Sequence, residues 1–517
     1  MKKRNLKRLA AFMLCICMGI SFIYGCSGKK DNGTATEAKA TTDNNKEKDT
    51  QKETEPVTIK NLKLTLDENV TYQTIESFGA SGAWWSQDVG GWTEGKEEGV
   101  QPREQIAELL YDKEKGIGLT NYRYNIGAGT ADSTEKYSGI GDIWRRAESF
   151  LDENGNYDWT KDENAVWFMN KAVDMGAEEL VFFCNSPIVS LTKNGKGCGD
   201  PNEGGTTSNL PKENYRAFAE YVLDVVEHFI DEGYPVKYVS PVNEPQWEWT
   251  GGQEGCHYEP EELVDFLNVF LDVLEERNIE GLELSAPELG EWGNTSYKYY
   301  DAIFADERLK NSLTSLDVHS YWSDTNAKTA FMDYLNKQGL TGLNLKMSEW
   351  CEMKNGRDTG MSSAMELAIT VQTDLTKLNV SSWQYWIAVS CYEYRDGLLY
   401  VFKGNHEVVE TKRLWALGNF SRFVRPGYVR VDSAVDNLNV LSSAFKGTDD
   451  EGRENLVVVL VNNSDSQFTL DAGSFEGYTS GEIYVTDKEH SLEKTGDVKD
   501  ASINIPAKSI VTVTVKK

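Results

Sequence analysis

Apolar and polar positions along the chain form a repeated block: a short apolar run, a loop, then an amphipathic stretch. The apolar runs are rich in β-branched and aromatic residues, as buried strands are. We predict eight strands, at Ile75–Trp85, Leu119–Gly129, Leu180–Pro187, Val236–Pro245, Leu282–Gly290, Leu316–Trp322, Leu345–Trp350 and Trp383–Val389. Helical periodicity predicts helices between several of them, including Gln105–Tyr111, Trp167–Met175, Tyr215–Asp231, Pro260–Arg277 and Ser363–Lys377.

Eight strands alternating with helices predict the α/β class, as a (β/α)8 TIM barrel over residues 71–420. A doubly wound open sheet is the alternative. It is disfavoured because no GxGxxG or other phosphate loop follows the first strand.

The helical pattern ends near Phe420, and short strands at sandwich spacing follow. They are predicted at Val429–Val431, Asn439–Ser443, Leu456–Val461, Phe468–Leu470, Gly481–Thr486, Ala501–Ile505 and Ser509–Val515. Residues 421–517 are therefore expected to form an attached C-terminal β-sandwich. Val57–Leu66 alternates with a period of two, so residues 57–70 are predicted to supply a strand to this domain.

The N-terminus has the pattern of an export signal. Residues 1–25 combine a basic head with an apolar run, and Cys26 follows Ile23-Tyr24-Gly25. This resembles a bacterial lipoprotein signal with cleavage before Cys26 and lipidation of its thiol. A simple cleaved signal that leaves Cys26 free is the alternative. Residues 26–56 are polar and predict a flexible tether. We expect an exported protein, lipid-anchored at the extracellular face of the membrane.

The composition excludes several classes of binding partner and cofactor. The formal net charge is −29, which excludes a nucleic-acid-binding surface and is compatible with a neutral glycan. The chain has only five histidines and no HExxH, so neither a metal nor another cofactor is expected. Five cysteines follow Cys26, and none are spaced as CxxC, so the sequence predicts neither a disulfide framework nor a zinc site. A monomer is expected.

Two predicted strands end in a glutamate. The fourth ends in Asn243-Glu244-Pro245, and the seventh in Met347-Ser348-Glu349-Trp350. Barrel enzymes build their active sites from the carboxyl ends of strands. Two facing carboxylates are what glycoside hydrolysis needs, because one protonates the leaving oxygen while the other attacks or activates water. Other strand ends add Arg123, Asn185, Glu288, His319, Tyr321, Trp383 and Trp386.

Further motifs resemble glycoside hydrolase family 30. They are Lys115-Gly116-Ile117-Gly118-Leu119 before Tyr122-Arg123-Tyr124-Asn125, Asn185-Ser186-Pro187, Val318-His319-Ser320-Tyr321, Ser348-Glu349-Trp350-Cys351, Trp383-x-x-Trp386 and Gly418–Gly427. The resemblance covers residues from Thr71 to the C-terminus. The stretch Phe78–Trp85, followed by Gly90-Gly91-Trp92, resembles the branch that includes endo-β-1,6-galactanases.

The resemblance implies a retaining β-glycosidase acting on an extracellular β-linked glycan by double displacement. It implies that Glu244 is the acid/base and Glu349 the nucleophile, with carboxyl groups about 5–5.5 Å apart. Substrate-binding positions carried over from it are Asn243, Arg123, His319, Tyr321 and Trp386, and Trp85 is added from the galactanase-like stretch.

Alternatives remain open at this point. Arg123, His319 and Tyr321 also suit hydrogen-bonded polar groups of the core. Glu288, Glu291, Glu248, Glu254 and Glu352 are set aside as non-catalytic. Glucosylceramidase-like, β-1,6-glucanase and xylanase specificities share the same motifs, because loops set the subsites. A glycan-binding lipoprotein on an inactive hydrolase scaffold is the alternative from another functional class.

Overall fold

The computed structural model describes residues 60–132, 139–152, 154–200, 208–498 and 502–517. The predicted signal, the tether, Cys26 and the first three positions of Val57–Leu66 lie outside these residues. Within the described ranges, no helix is long and apolar enough to cross a bilayer.

The eight predicted barrel strands form one parallel sheet, which confirms the predicted fold class. In chain order they are Ser77–Ser81, Asn121–Asn125, Glu179–Phe183, Val236–Ser240, a fifth strand in two pieces, Ser315–Val318, Asn344–Met347 and Ser382–Tyr385. Most are shorter than predicted, because the apolar runs continue past the last strand residue into buried loops that form the mouth of the barrel.

The fifth strand closes the barrel. Its pieces, Glu283–Leu284 and Pro287–Leu289, lie at the two edges of the sheet, beside the fourth and sixth strands respectively. Between them, the Ser285 amide donates to Val239, and the Asp317 amide donates to Ala286. One interrupted strand therefore joins both edges, so the sheet has no free edge.

Amphipathic helices surround the sheet. They span Ser86–Val89, Pro102–Tyr111, Glu163–Asp174, Tyr215–Asp231, Pro260–Arg277, Tyr297–Ala305, Glu307–Ser312, Thr325–Gln338, Met361–Thr373 and Lys412–Ser421. Pro260–Arg277 matches its predicted bounds because local signals mark its start: Pro260 occupies the first turn, and Glu259 and Glu262 form a reciprocal capping box.

Two sheets, whose strands pair mostly antiparallel, form the β-domain. The larger runs in the order Leu64–Thr74, Val429–Val435, Val440–Thr448, Glu454–Asn462, Ser509–Lys516, Ser480–Thr486 and Ser491–Asp497. The smaller joins Lys60–Leu62, Phe468–Asp471 and Ser502–Ile505. The chain on both sides of the barrel thus contributes to one β-domain. Ser491–Asp497 is not predicted from sequence, because it is largely exposed and polar.

The central strands of the larger sheet are buried on both faces. Along Glu454–Asn462, the side chains of Val457, Val459 and Val461 belong to the barrel's hydrophobic core, whereas alternate residues such as Val458 pack inside the sandwich. A strand buried on both faces reads as a continuous apolar run, which is the pattern seen there. The β-domain therefore covers an apolar side of the barrel.

This packing predicts that Val459→Asp destabilises the whole protein. Val459 is fully buried at the barrel-facing surface of the sheet, so a carboxylate there has no water to solvate it. We expect the free energy of unfolding to fall by about 3 kcal/mol or more. Val70→Asp is the control, since Val70 is 43% exposed on a strand of the same sheet. Thermal unfolding measures both, and equal stabilities of the two variants would contradict the packing.

Candidate active site

Glu244 and Glu349 meet at the mouth of the barrel. Each follows the carboxyl end of its strand, Val236–Ser240 or Asn344–Met347, and each is nearly buried, at 7% and 5% exposure. A carboxylate oxygen of each and a ring nitrogen of His319 all lie within 4.8 Å of one another. The parallel barrel thus brings together two carboxylates that are distant in sequence.

Glu349 is held by a cation and a phenol. Arg123 Nη1 lies 2.5 Å from Glu349 Oε2, and the Tyr321 hydroxyl donates to Oε1 at 3.1 Å. Arg123 also donates to Asn243 Oδ1 at 3.2 Å, and its guanidinium stacks 3.8 Å from the centre of the Phe183 ring. These contacts stabilise negative charge on Glu349 and fix the orientation of its carboxylate.

Glu244 lies in a different environment. His319 Nδ1 is 3.0 Å from Glu244 Oε1. Burial raises the pKa of Glu244, the hydrogen bond with His319 lowers it, and the charge of Glu349 raises it, with a net upward shift. The backbone of Glu244 is left-handed, at φ 43°, and Trp249 Nε1 donates to its carbonyl at 2.9 Å. A strained residue held in place by its neighbours is typical of functional sites.

Glu288, a strand-end residue that we set aside as non-catalytic, also belongs to this cluster. It is fully buried and accepts from His319 Nε2 at 3.1 Å, from Ser285 Oγ at 2.9 Å and from Ser348 Oγ. Burial opposes its ionisation, but the charges of Arg123 and His319 hold its pKa at about 2. Glu288 ends the fifth strand, so the strand-end rule that selected Glu244 and Glu349 applied to it as well.

His319 therefore lies among three carboxylates. Burial lowers its pKa, but the charge of Glu349 and the hydrogen bonds to Glu244 and Glu288 outweigh burial and raise it to about 10. A charged imidazole has no lone pair for a metal ion. In the described part of the chain, one group of side chains is close enough together to hold a metal ion, namely Glu244, His319 and Glu349. Their chemistry favours ion pairs over metal ligation.

The predicted tryptophans divide between the site and the core. Trp386 is 8% exposed, and its ring lies 6.4 Å from the Phe183 ring that supports Arg123. Trp84 packs edge-on against Trp386 at 5.1 Å. The expectation for Trp85 is wrong: its indole is fully buried, packs against Phe168 of helix Glu163–Asp174 and donates to the Ser81 carbonyl. Its neighbour Trp84 is the residue that contacts Trp386.

The Glu288 contacts predict a specific effect of Glu288→Gln. Removing the buried carboxylate lowers the pKa of His319, so the imidazole loses its charge at a lower pH than in the wild type. Because the folded pKa of Glu288 lies below its ordinary value, the stability it contributes is present above about pH 4.5 and is lost as pH falls through about 2. Histidine side-chain ¹⁵N NMR from pH 6 to 10 measures the change in the pKa of His319. The spectrum is simple because the chain has only five histidines.

Glu291→Gln is the matched control for that experiment. Glu291 is also buried, but its side chain bonds Asn294 and Thr295 outside the cluster. It should leave the His319 titration unchanged. A His319 titration that is identical in Glu288→Gln and the wild type would contradict the assignment.

Comparisons with known proteins agree with this geometry. The model of O-glycosyl hydrolase family 30 matches residues 61–303 and 316–400, and the model of the family 30 β-sandwich domain matches residues 427–513. An endo-β-1,6-galactanase from Hypocrea rufa is 23% identical over 438 residues, covering 78% of this chain and 82% of that protein. A glucuronoxylanase from Bacillus subtilis is 24% identical over 426 residues, covering 78% and 89%.

Solved structures show the same architecture. A conserved exported protein from Bacteroides fragilis is 25% identical with a TM-score of 0.75, covering 88% of this chain and 100% of that one. A family 30 endoxylanase from Clostridium papyrosolvens is 22% identical with a TM-score of 0.62 and the same coverage. The barrel and the sandwich each match a family 30 sequence model, and together the matches cover most of the chain. The chain therefore belongs to glycoside hydrolase family 30.

Proposed function

We propose that this family 30 member is a retaining β-glycoside hydrolase in which Glu349 is the nucleophile and Glu244 the acid/base. The observation that carries the proposal is the contrast between the two carboxylates. Glu349 is paired with Arg123 and Tyr321, which suits a nucleophile that attacks as a carboxylate. Glu244 is buried with an upward-shifted pKa, which suits a proton donor.

In the first step, a Glu349 oxygen attacks the anomeric carbon of the bound sugar. The bond from that carbon to the leaving oxygen breaks, and the Glu244 proton passes to the leaving oxygen. In the second step, Glu244, now a carboxylate, takes a proton from water. The water oxygen attacks the anomeric carbon, and the ester bond to Glu349 breaks. One carboxylate oxygen of Glu244 lies within 4.8 Å of one of Glu349, and this close approach supports the retaining route over inversion, which needs room for a water between the two groups.

The substrate we propose is an extracellular β-linked glycan, with β-1,6-galactan as the first to test. Support comes from the similarity to the Hypocrea rufa endo-β-1,6-galactanase, which extends over most of both chains. The similarity to a glucuronoxylanase is nearly as extensive and makes xylan the next candidate. A product profile on galactan, xylan and β-1,6-glucan distinguishes these specificities.

Azide rescue tests the two roles. Glu349→Ala should lose turnover on the order of 10⁴-fold or more on every substrate, because no covalent intermediate forms. Glu244→Ala should still react with an aryl β-glycoside that has a very acidic phenol, and then stall without a base. Azide needs no base, so it should restore the rate of Glu244→Ala and yield the β-glycosyl azide.

Glu248→Ala serves as the control, since Glu248 is exposed four residues beyond Glu244 and should retain wild-type activity. Azide rescue of Glu349→Ala to the β-azide, with no effect on Glu244→Ala, would reverse the assignment. A wild-type protein that binds β-glycans without turnover would support the glycan-binding alternative.

We further propose that the protein is exported and anchored through a lipid on Cys26. The support is the basic head, apolar run and cysteine of residues 1–26, and a polar tether long enough to separate the enzyme from the membrane. Expressed in a bacterium, the wild type should partition into the detergent phase of Triton X-114, and Cys26→Ser into the aqueous phase. Aqueous partitioning of both would indicate a simple cleaved signal instead.

A further inference from the structure

Trp322 is an exposed indole held in an unfavourable backbone conformation. Its side chain is 58% exposed, more than that of any other aromatic residue in the described ranges, and its backbone is left-handed at φ 49°. Leaving an indole in water forgoes burial energy, and a non-glycine residue in this region costs about 1–3 kcal/mol. Both costs call for a function at this position.

The turn around Trp322 is fixed by its neighbours. The Ser323 hydroxyl donates to the Tyr321 carbonyl at 2.9 Å and accepts from the Trp292 amide at 3.0 Å. Trp292 is itself fully buried, and its indole donates to Ser320 Oγ at 2.7 Å. Trp322 is therefore presented to solvent from a rigid support, rather than from a mobile loop.

Trp247 connects Trp322 with the acid/base. The two indoles meet nearly at right angles, with ring centres 5.5 Å apart. Trp247 follows Glu244 by three residues, and its amide donates to the Glu244 carbonyl at 3.1 Å. A methyl group added at Gly290 would lie 2.8 Å from Glu244 Oε1 and 3.1 Å from Trp247 Nε1. The Glu244 carboxylate and the Trp247 indole thus border the same small space.

Resting on the function proposed above, we propose that Trp322 and Trp247 form the binding site for the leaving-group sugar. A general acid must reach the glycosidic oxygen, so the leaving sugar lies on the Glu244 side of the scissile bond. The apolar C–H face of a pyranose packs well on an open indole face. The two apolar faces are then removed from water, while the sugar hydroxyls and the indole N–H at the edges stay solvated. Trp322 offers such a face against Trp247, whose indole borders the same space as the Glu244 carboxylate.

The same site would receive an acceptor sugar in the second step. An acceptor hydroxyl there loses its proton to the Glu244 carboxylate, and its oxygen attacks the anomeric carbon. The ester bond to Glu349 breaks and the new product is a longer β-linked oligosaccharide. The platform therefore governs transfer to sugars as well as cleavage between sugars.

Leaving groups of different size test the proposal in Trp322→Ala. The probes are the β-glycosyl fluoride of the sugar selected by a panel of aryl β-glycosides, and the β-linked trisaccharide of that sugar. Fluoride is too small to touch the platform. We expect kcat/KM for the trisaccharide to fall about tenfold or more, kcat/KM for the fluoride to stay within about twofold, and transfer products to decrease relative to hydrolysis.

Two further variants make the outcome decisive. Trp322→Phe keeps a ring and should recover most of the trisaccharide activity. Tyr72→Ala removes an aromatic ring that is 40% exposed in the β-domain, and it should leave kcat/KM unchanged for both substrates. Equal losses on both substrates would mean that Trp322 acts through Tyr321 on Glu349, and would overturn the proposal, as would an unchanged trisaccharide rate. Wild-type inactivity on both probes would instead overturn the proposed hydrolase function, and this inference with it.

Discussion

The buried guanidinium of Arg123 is the interaction on which the site depends. It is fully enclosed at the second strand and contacts Glu349, Asn243 and Glu288, which come from three other strands. Removing one partner from such a buried charge cluster typically costs 3–5 kcal/mol, because the remaining charges stay desolvated. The mouth of the barrel is therefore one connected electrostatic unit, in which each strand end constrains the others.

Charge balance explains how this unit tolerates the proposed reaction. In the proposed mechanism, Glu349 starts as a carboxylate and Glu244 as the protonated acid, beside the charged side chains of Arg123, His319 and Glu288. When Glu349 becomes an ester it loses its charge, and Glu244 gains one as it gives up the proton. The total charge of the five buried groups stays constant through both steps. A low-dielectric site in which charge only shifts position needs little reorganisation, which lowers the barrier.

Apolar side chains are buried in the β-domain, whereas one large apolar side chain is exposed at the mouth of the barrel. The central strands of the larger β-domain sheet bury both faces, and one of these faces completes the barrel's core. At the mouth, Trp322 remains exposed although nearby Trp292 is fully buried. Burial stabilises the scaffold, whereas the exposed indole contributes no comparable packing. The proposed role of Trp322 in binding the leaving-group sugar accounts for this exposure.

The sequence alone determined the eight barrel strands, most of the sandwich strands and the meeting of Glu244 with Glu349, because these depend on local periodicity and on the rule that strand ends meet at one mouth. Arg123, Asn243, His319 and Tyr321 lie in that cluster for the same reason. The sequence also placed Glu288 at a strand end, but only the tertiary structure decided that it contacts His319. The tertiary structure likewise decided that Trp84 rather than Trp85 faces Trp386, and that Trp322 is exposed beside Trp247. Those outcomes depend on where the fifth strand is interrupted and on how turns orient side chains. Such orientations are set by long-range packing, which a local pattern of apolar and polar residues does not encode.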